Sequence, residues 1–246
     1  MSGWEALDEE LARHAAPIPF WWRDDDAVAA TPALDRLLDL AEAFDAPPHL
    51  AVIPAELTPG LAPRLSSSSA RVLVHGWRHR NHAPATEKKA EFRAHRPLAD
   101  RLGETKEGLR RLGDAFGPRL LPVFVPPWNR IADDLAAPLA AQGYRALSTY
   151  GPRKARDAAP GLLQINTHLD PIDWRGTRSA VPADLLAERL AEILRMRRLG
   201  ESDAEEPVGL LTHHLAHDAA IWAVVEALLR RLASAARWID LDPCLR

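Results

Sequence analysis

The chain has 246 residues, of which 47% are hydrophobic and 26% are charged, and its formal net charge at pH 7 is −3. These values are typical of a soluble globular protein with a sizeable core, and they give no reason to expect nucleic acid or an anionic membrane as a partner. The single cysteine, Cys244, excludes an internal disulfide and any cysteine-based zinc site, so a bound metal would need His, Asp or Glu ligands. No stretch approaches the roughly 20 apolar residues of a membrane span, and the first residues do not form a secretory signal, so we expect a cytoplasmic protein.

The first third of the chain alternates between helix and strand patterns. Residues 1–16 predict a short helix, and the apolar run 20–22 predicts a strand that stops at Arg23. Three consecutive aspartates, 24–26, follow at once. Thr31 and Pro32 then form a helix start, with a capping hydroxyl before a proline at the first helical position.

The next strand, predicted over residues 72–74, runs directly into two histidines. His75 and His79 are four residues apart, and side chains at that spacing share a face if the backbone turns helically. Such a pair can bind one divalent ion such as zinc. The alternative is two unrelated surface histidines, just as the aspartates at 24–26 could be a turn and capping cluster before the next helix.

The remainder of the chain continues the same alternation. Helical spacing is found at 98–116, 132–142, 182–199 and 217–236. Apolar runs typical of buried strands are found at 50–53, 121–125, 144–148, 162–166, 208–212 and 238–241. Apolar strands that alternate with helices favour parallel pairing, so we predict an α/β fold, a distorted (β/α) barrel of about seven parallel strands, formed by one domain over residues 1–246. An open doubly wound sheet is the alternative.

The polar clusters of this sequence are placed directly after apolar strands. In a parallel barrel all strand carboxyl ends lie on one face, where active sites are found. Groups distant in the sequence would therefore meet at one rim. They are Asp24 to Asp26, His75 and His79, Pro127 and Trp128, Asp170 and Asp173, and His213 and His214.

These residue types could together perform metal-assisted hydrolysis. One aspartate and two histidines form a ligand set that leaves positions open for water and substrate, and a bound metal lowers the pKa of water from about 15.7 to roughly 7. A second aspartate of the run could act as base, and His213 or His214 as the acid that protonates a leaving group. The competing interpretations are a packed histidine, ordinary turn aspartates and core tryptophans.

The ordered motifs DD, HxxxH, PPW, DxxDW and LTHH resemble the five motifs of the polysaccharide deacetylase (NodB-homology) family, over residues 20–218. The resemblance implies a metal-dependent deacetylase on a distorted (β/α) barrel. It implies that Asp24 is the catalytic base, that Asp25, His75 and His79 bind the metal, and that the metal is Zn²⁺, with Co²⁺ or Ni²⁺ as the other candidates.

The later motifs imply the remaining roles. His213 matches the catalytic acid and Asp173 the carboxylate that tunes it, while His214 is an adjacent competitor that would contact substrate. Pro127 and Trp128 would line the substrate groove. Trp174 would line the pocket for the acetyl group.

Two departures from the family pattern concern the base. The third motif normally opens with an arginine that pairs with the base, and here that position is Val125. Arg23 or Arg130 is a candidate replacement. Arg23 itself stands where the family usually has an apolar or aromatic residue, immediately before the aspartates.

The expected function is removal of an acetyl group from an N- or O-acetylated saccharide. In the mechanism that the resemblance implies, metal-bound water attacks the acetyl carbonyl, with an aspartate as base and a histidine as acid. The expected partner is a small-molecule or oligosaccharide substrate. The alternatives are hydrolysis of another amide or ester on the same fold, and a non-catalytic carbohydrate-binding relative.

Overall fold

This computed structural model describes residues 1–245, and its described strands all join one sheet. The strands are β1 (Ile18–Ala27), β2 (Pro48–Val52), β3 (Arg71–His75), β4 (Leu120–Val125), β5 (Ala146–Leu147), β6 (Asp157–Ala159), β7 (Leu162–Gln164), β8 (Val208–Thr212) and β9 (Ala236–Trp238). The α-helices are α1 (Gly3–Leu11), α2 (Pro32–Ala43), α3 (Leu61–Leu65), α4 (Leu98–Phe116), α5 (Ala136–Ala141), α6 (Ala183–Arg198) and α7 (Ala219–Leu232).

The strand order is that of a barrel opened along one seam. It runs β6-β7-β5-β4-β3-β2-β1-β8, with β9 also on β1, and every pair is parallel except β6 with β7. The order lacks the reversal that marks a doubly wound sheet, because successive strands follow one another from β1 to β5 and β8 joins the other side of β1. The sheet is not closed, although an isolated bridge between Leu169 and Leu210 connects the chain after β7 with β8. The predicted α/β class and distorted barrel are therefore confirmed.

The side chains of β1 alternate between two apolar layers. Trp21 packs inside the barrel with Ala51 and Leu73, whereas Trp22 packs in the larger core between sheet and helices. Each indole is satisfied, since Trp21 Nε1 donates to the carbonyl of Asn166 at 3.0 Å and Trp22 Nε1 donates to Thr212 Oγ1 at 2.8 Å. The alternation continues into the charged residues that follow and decides which of them can reach the barrel interior.

The helices cover the outer face of the sheet. Side-chain hydrogen bonds and ion pairs fix the ends of several of them. Thr31 caps α2 through a hydrogen bond from the Leu34 amide, which is worth about 1 kcal/mol. The N-terminal helix α1 packs against α6, where the Gly3 amide donates to Asp184 and Glu10 pairs with Arg198 at 2.7 Å. None of the helices described between residues 1 and 245 is long and apolar enough to cross a membrane.

Several predicted boundaries move. The first strand does not stop at Arg23 but runs to Ala27, because β2 and β8 pair with it as far as Asp24 and its charged side chains find buried partners. The last strand ends at Trp238 rather than beginning there, and α5 begins four residues later than predicted. Two short elements, α3 and β6, lie in segments for which no helix or strand is predicted.

Candidate active site

Three side chains at the carboxyl ends of β1 and β3 form a group that could hold a metal ion. They are Asp26, His75 and His79, and one ligand atom from each lies within 4.8 Å of the others. Asp26 Oδ1 lies 3.1 Å from His75 Nε2 and 3.4 Å from His79 Nε2. The structure thus brings the two predicted histidines together, but with Asp26 in place of Asp25.

Asp26 reaches this position because β1 is irregular at its end. The pairing register between β1 and β2 shifts between Asp24 and Ala27, and Asp26 has a left-handed φ of 72°. Burial would raise the pKa of Asp26, but the close approach of His75 and the charges of His75 and His79 hold that pKa well below its usual range. The carboxylate is therefore ionised and oriented toward both imidazoles.

The two histidines are oriented by different means. His75 ends β3, and its Nδ1 lies 3.0 Å from the carbonyl oxygen of Val125, which orients the imidazole ring with Nε2 facing Asp26. His79 lies beyond a non-helical turn, with φ of 54°, rather than one turn along a helix. The strand end supplies the first histidine and the following loop supplies the second.

A buried glutamate holds that loop in place. Glu91 is 1% exposed, and its carboxylate accepts hydrogen bonds from the amides of Trp77, Arg78, His79 and Arg80, at 2.8 to 3.3 Å. Gly76 makes this possible, because a Cβ there would lie 2.3 Å from Glu91 Oε2. Glu91 belongs to residues 83–96, which carry no helix or strand periodicity, so no pattern in the sequence indicated its role.

The group fits a divalent metal. Asp26 Oδ1 is buried without a hydrogen-bond partner among the described atoms, and two imidazole nitrogens converge on it. Two nitrogens and one carboxylate oxygen are ligands that zinc, cobalt and nickel accept.

Asp25 lies beside this group and pairs with an arginine. Arg23 Nε lies 2.9 Å from Asp25 Oδ1, and Arg23 Nη2 donates to Asp25 Oδ2 at 3.1 Å. The guanidinium is fully buried and is itself held by Ser148 Oγ at 2.7 Å and Asn129 Oδ1 at 2.8 Å. Of the two predicted replacements for the missing arginine, Arg23 pairs with an aspartate, but that aspartate is Asp25 and not Asp24.

Asp24, the predicted base, lies away from the site. It is fully buried and accepts hydrogen bonds from Thr212 Oγ1 at 2.6 Å, from the His214 amide at 3.0 Å and from His214 Nδ1. Burial would raise the pKa of Asp24 and lower that of His214, but their mutual attraction outweighs burial, so the pKa of Asp24 is lowered and that of His214 raised. Because side chains alternate along a strand, Asp24 faces the helix layer with Trp22, while Asp25 faces the interior with Trp21 and Arg23.

His214 lies on the same side of β1 as Asp24, its hydrogen-bond partner. It is 1% exposed and is absent from the residues that line the cleft described below, so the geometry does not place it where it would contact substrate. The geometry thus groups Asp26, rather than Asp25, with the two histidines, and it places Asp25, rather than Asp24, at the cleft.

His213 is the histidine that faces the site. Its side chain is 14% exposed, its Nε2 lies 4.0 Å from Asp25 Oδ2, and the Trp174 ring packs edge-on against it at 4.8 Å. Its Nδ1 is buried with no hydrogen-bond partner in the described chain. The Nε2 atom of His213 therefore faces Asp25 and the metal-binding group, whereas its Nδ1 atom has no hydrogen-bond partner among the described residues.

The predicted partner of His213, Asp173, is occupied elsewhere. Its carboxylate accepts from the amides of Gly176 at 3.0 Å and Thr177 at 3.1 Å, which closes a turn. Asp170 and Asp26 are carboxylates that interact electrostatically with His213, and Asp170 also accepts a hydrogen bond from Trp174 Nε1 at 2.8 Å. Burial raises the pKa of Asp170, and the positive charge of His213 opposes that rise.

These groups open into one cleft of about 860 Å³. Trp128 and Trp174 both line it, as predicted, and the Trp128 ring lies 4.3 Å from that of His79. Pro127 is buried beneath Trp128 and does not line the cleft itself. Tyr150, which the sequence did not single out, contributes to the wall.

The fold is shared with solved structures of deacetylases. A protein from Mycobacterium smegmatis described as a polysaccharide deacetylase has a TM-score of 0.66 at 16% identity, over 94% of this chain and 92% of that one. The Puue allantoinase gives 0.61 at 15% identity, over 90% and 87%. The Bc1960 peptidoglycan N-acetylglucosamine deacetylase gives 0.59 at 15% identity, over 92% and 87%.

No protein-family profile matches the sequence, and no curated protein is similar enough to match. The chain nevertheless has the fold of the polysaccharide deacetylases, which confirms the resemblance seen in its ordered motifs. At these identities the likeness concerns the fold, so the roles of individual residues depend on the geometry of the site.

Proposed function

We propose that this protein is a metal-dependent hydrolase that removes an acetyl group from an N- or O-acetylated saccharide. The observation that carries the proposal is the convergence of three functions in one cleft. The cleft is lined by the metal-binding group (Asp26, His75 and His79), by Asp25, which pairs with Arg23, and by His213. Deacetylases among the neighbours in fold support the same reaction class.

Asp26, His75 and His79 would hold the metal, for which we propose zinc, with cobalt or nickel as the other candidates. When bound, a divalent ion supplies Lewis-acid chemistry, polarising the acetyl carbonyl and making water acidic enough to deprotonate near neutral pH. Val125 would orient the His75 imidazole, and Glu91 would hold the backbone that carries His79, as partners of metal ligands commonly do.

Asp25 would act as the general base. Its two oxygens are paired with Arg23, so the carboxylate is held in one orientation at the cleft, ready to accept a proton from the attacking water. His213 would be the general acid, donating a proton from Nε2 to the departing amine or alcohol. Asp170, rather than Asp173, interacts electrostatically with His213.

Trp128 and Trp174 would form the walls of the substrate site. Flat indole faces suit both sugar rings and an acetyl methyl group. Asp173 would contribute indirectly, because it shapes the turn that follows Trp174.

One other function is a candidate on a specific observation. A structure named as an allantoinase is among the neighbours in fold, so hydrolysis of another amide on the same fold is the second candidate. A non-catalytic carbohydrate-binding role is disfavoured, because a binding protein has no need of both a fixed carboxylate and a histidine beside a metal-binding group.

The first test is metal content and acetate release, compared between the wild type and His75→Ala/His79→Ala. We expect about one zinc, cobalt or nickel ion per chain in the wild type, release of acetate from acetylated saccharides, and loss of both in the double variant. Chelation should also lower the Tm of the wild type and leave that of the double variant unchanged, since a ligand stabilises only a protein that binds it. A wild type that takes up no metal after zinc soaking would overturn the proposal.

A further inference from the structure

Four arginines line the same cleft as the metal-binding group. Arg130 follows Trp128, Arg175 and Arg178 belong to the loop after Trp174, and Arg189 projects from α6. Three separate segments of the chain therefore contribute positive charge to one cavity, in a protein whose overall charge is −3.

None of these four guanidiniums is ion-paired to any residue between 1 and 245 within 4.0 Å. The acidic groups of the cleft are already engaged, since Asp25 pairs with Arg23 and Asp26 faces the two histidines. Asp170 accepts from the Trp174 indole, and Asp173 accepts from backbone amides. Arg189 interacts electrostatically with Asp173. Among the described residues, the charges of the cleft that have no carboxylate partner within 4.0 Å and no such interaction are therefore those of Arg130, Arg175 and Arg178.

The loop that carries two of the arginines is held in a defined shape. The Arg178 amide donates to the Asp173 carbonyl at 2.9 Å, and the Asp173 amide donates to the Ser179 carbonyl at 2.9 Å. Arg178 has a left-handed φ of 58°, and Ser179 Oγ donates to Asp218 at the start of α7. A loop fixed at both ends limits the conformational entropy that would be lost when its arginines bind a ligand.

The remaining arginines are placed near this loop. Arg130 Nη1 donates to the Lys89 carbonyl at 2.6 Å, which orients the guanidinium. Burial lowers the pKa of Arg130, and the nearby charges of Arg93 and Arg175 lower it further. Like charges held together in this way attract an anion, and the planar guanidinium forms paired hydrogen bonds to phosphate or carboxylate oxygens.

We propose that the substrate is an acylated saccharide that carries an oxyanion, a phosphate or a carboxylate, bound by Arg175 and Arg178 with Arg130 and Arg189 beside them. The proposal deepens the function inferred above and rests on it. The sugar would lie against Trp128 and Trp174, with its acyl group at the metal-binding group and its anionic substituent toward the arginines. A neutral saccharide could pack against the same two tryptophans, but it would offer no negative charge to the arginines.

The test compares three saccharides that differ in charge. N-acetylglucosamine is neutral, N-acetylglucosamine 6-phosphate carries a phosphate, and N-acetylmuramic acid carries a carboxylate. The measurement is kcat/KM for acetate release by the metal-loaded protein. We expect at least a tenfold preference for one of the charged compounds, which also identifies the oxyanion, and we expect added salt to reduce that preference.

The variant Arg175→Gln/Arg178→Gln should abolish the preference, so that kcat/KM for the favoured charged compound falls at least tenfold more than kcat/KM for the neutral saccharide. The matched control is Arg156→Gln/Arg237→Gln, which removes the same charge from exposed positions outside the cleft and should change nothing. Equal kcat/KM for all three compounds, or a preference that survives in the cleft variant, would overturn the inference and leave the proposed function intact.

If none of the compounds releases acetate, the proposed function fails, and equilibrium binding of the same compounds still decides the inference. Tighter binding of a charged compound, lost in the cleft variant and kept in the control, supports the anion site. Equal binding of charged and neutral compounds contradicts it.

Discussion

The three consecutive aspartates show that adjacent residues of one type can do different things. Asp24 is paired with His214 beneath the site, Asp25 with Arg23 inside the barrel, and Asp26 faces the two histidines at the rim. The alternation of a strand separates the first two, and the irregular end of β1 turns the third outward.

Asparagine substitutions distinguish the two candidate bases. In folded protein, Asp25→Asn should lower kcat by roughly 10²- to 10⁴-fold, because a general base is lost. Asp24→Asn should instead reduce the free energy of unfolding by about 3–5 kcal/mol, because it removes the charged partner of the buried His214 imidazole. Turnover is measured on the folded fraction at low temperature, and stability by denaturant unfolding.

The opposite result for the two variants would support the assignment of the base that the motif order implies. A folded Asp24→Asn protein without turnover, beside an active Asp25→Asn protein, would make Asp24 the base. The sequence already contained the deciding signal, because Trp21, Arg23 and Asp25 stand at alternate positions of one strand. The predicted strand ends at Arg23, where the charged residues begin, so the prediction did not extend the alternation to Asp25.

At the scale of elements, the loop between β3 and α4 was the hardest part of the chain to predict. The helix 98–116 was predicted with the bounds that the structure shows, since its apolar spacing is regular and Gly117 follows it. Residues 83–96 have no such period, so Glu91 could not be recognised as the group that holds the metal-binding loop. Its role depends on contacts across the fold, with amides 11 to 14 residues away.

Glu91→Gln should weaken metal binding without removing a ligand. The amide side chain keeps the shape of Glu91 but offers one acceptor oxygen instead of two, so the amides around His79 lose partners. Loss of such a supporting contact typically lowers metal affinity by roughly 10- to 100-fold. Affinity is measured by competition with a chelator.

The matched control is Glu87→Gln, at an exposed position of the same segment whose nearest ion-pair partner is His95, at 3.5 Å. It should bind metal as the wild type does. Unchanged affinity in Glu91→Gln would show that the loop holds its shape without the carboxylate.

At the scale of the whole molecule, Asp240 stabilises the end of the barrel where β9 joins the sheet. Its carboxylate accepts from Arg71 Nε at 2.6 Å, at the start of β3. Burial would raise the pKa of Asp240, but His49, the Asp242 amide and Arg71 outweigh it and hold that pKa below its usual range. The charged form is therefore favoured in the folded state.

The stability contributed by this group should depend on pH in one direction. A lowered folded pKa gives a contribution that is complete above the unfolded value of about 3.9 and is lost as the pH falls toward the folded value. Asp240→Asn should therefore cost about 1 kcal/mol at pH 7, a figure reduced for solvent screening at this partly exposed site, and less at pH 3. Denaturant unfolding at both pH values measures it, and an equal cost at both would contradict the assignment.

The metal-binding group and the wall that carries Trp174 belong to different parts of the open barrel. The metal-binding group, Asp25 and His213 are all carried by the continuous ladder of β8, β1, β2 and β3. The wall with Trp174, Arg175 and Arg178 follows the seam, where an isolated bridge at Leu169 joins the chain to β8. If the proposed function holds, replacing the residues of that wall should change which substrate is bound while the ladder stays intact, so the two halves of the cleft could be altered independently.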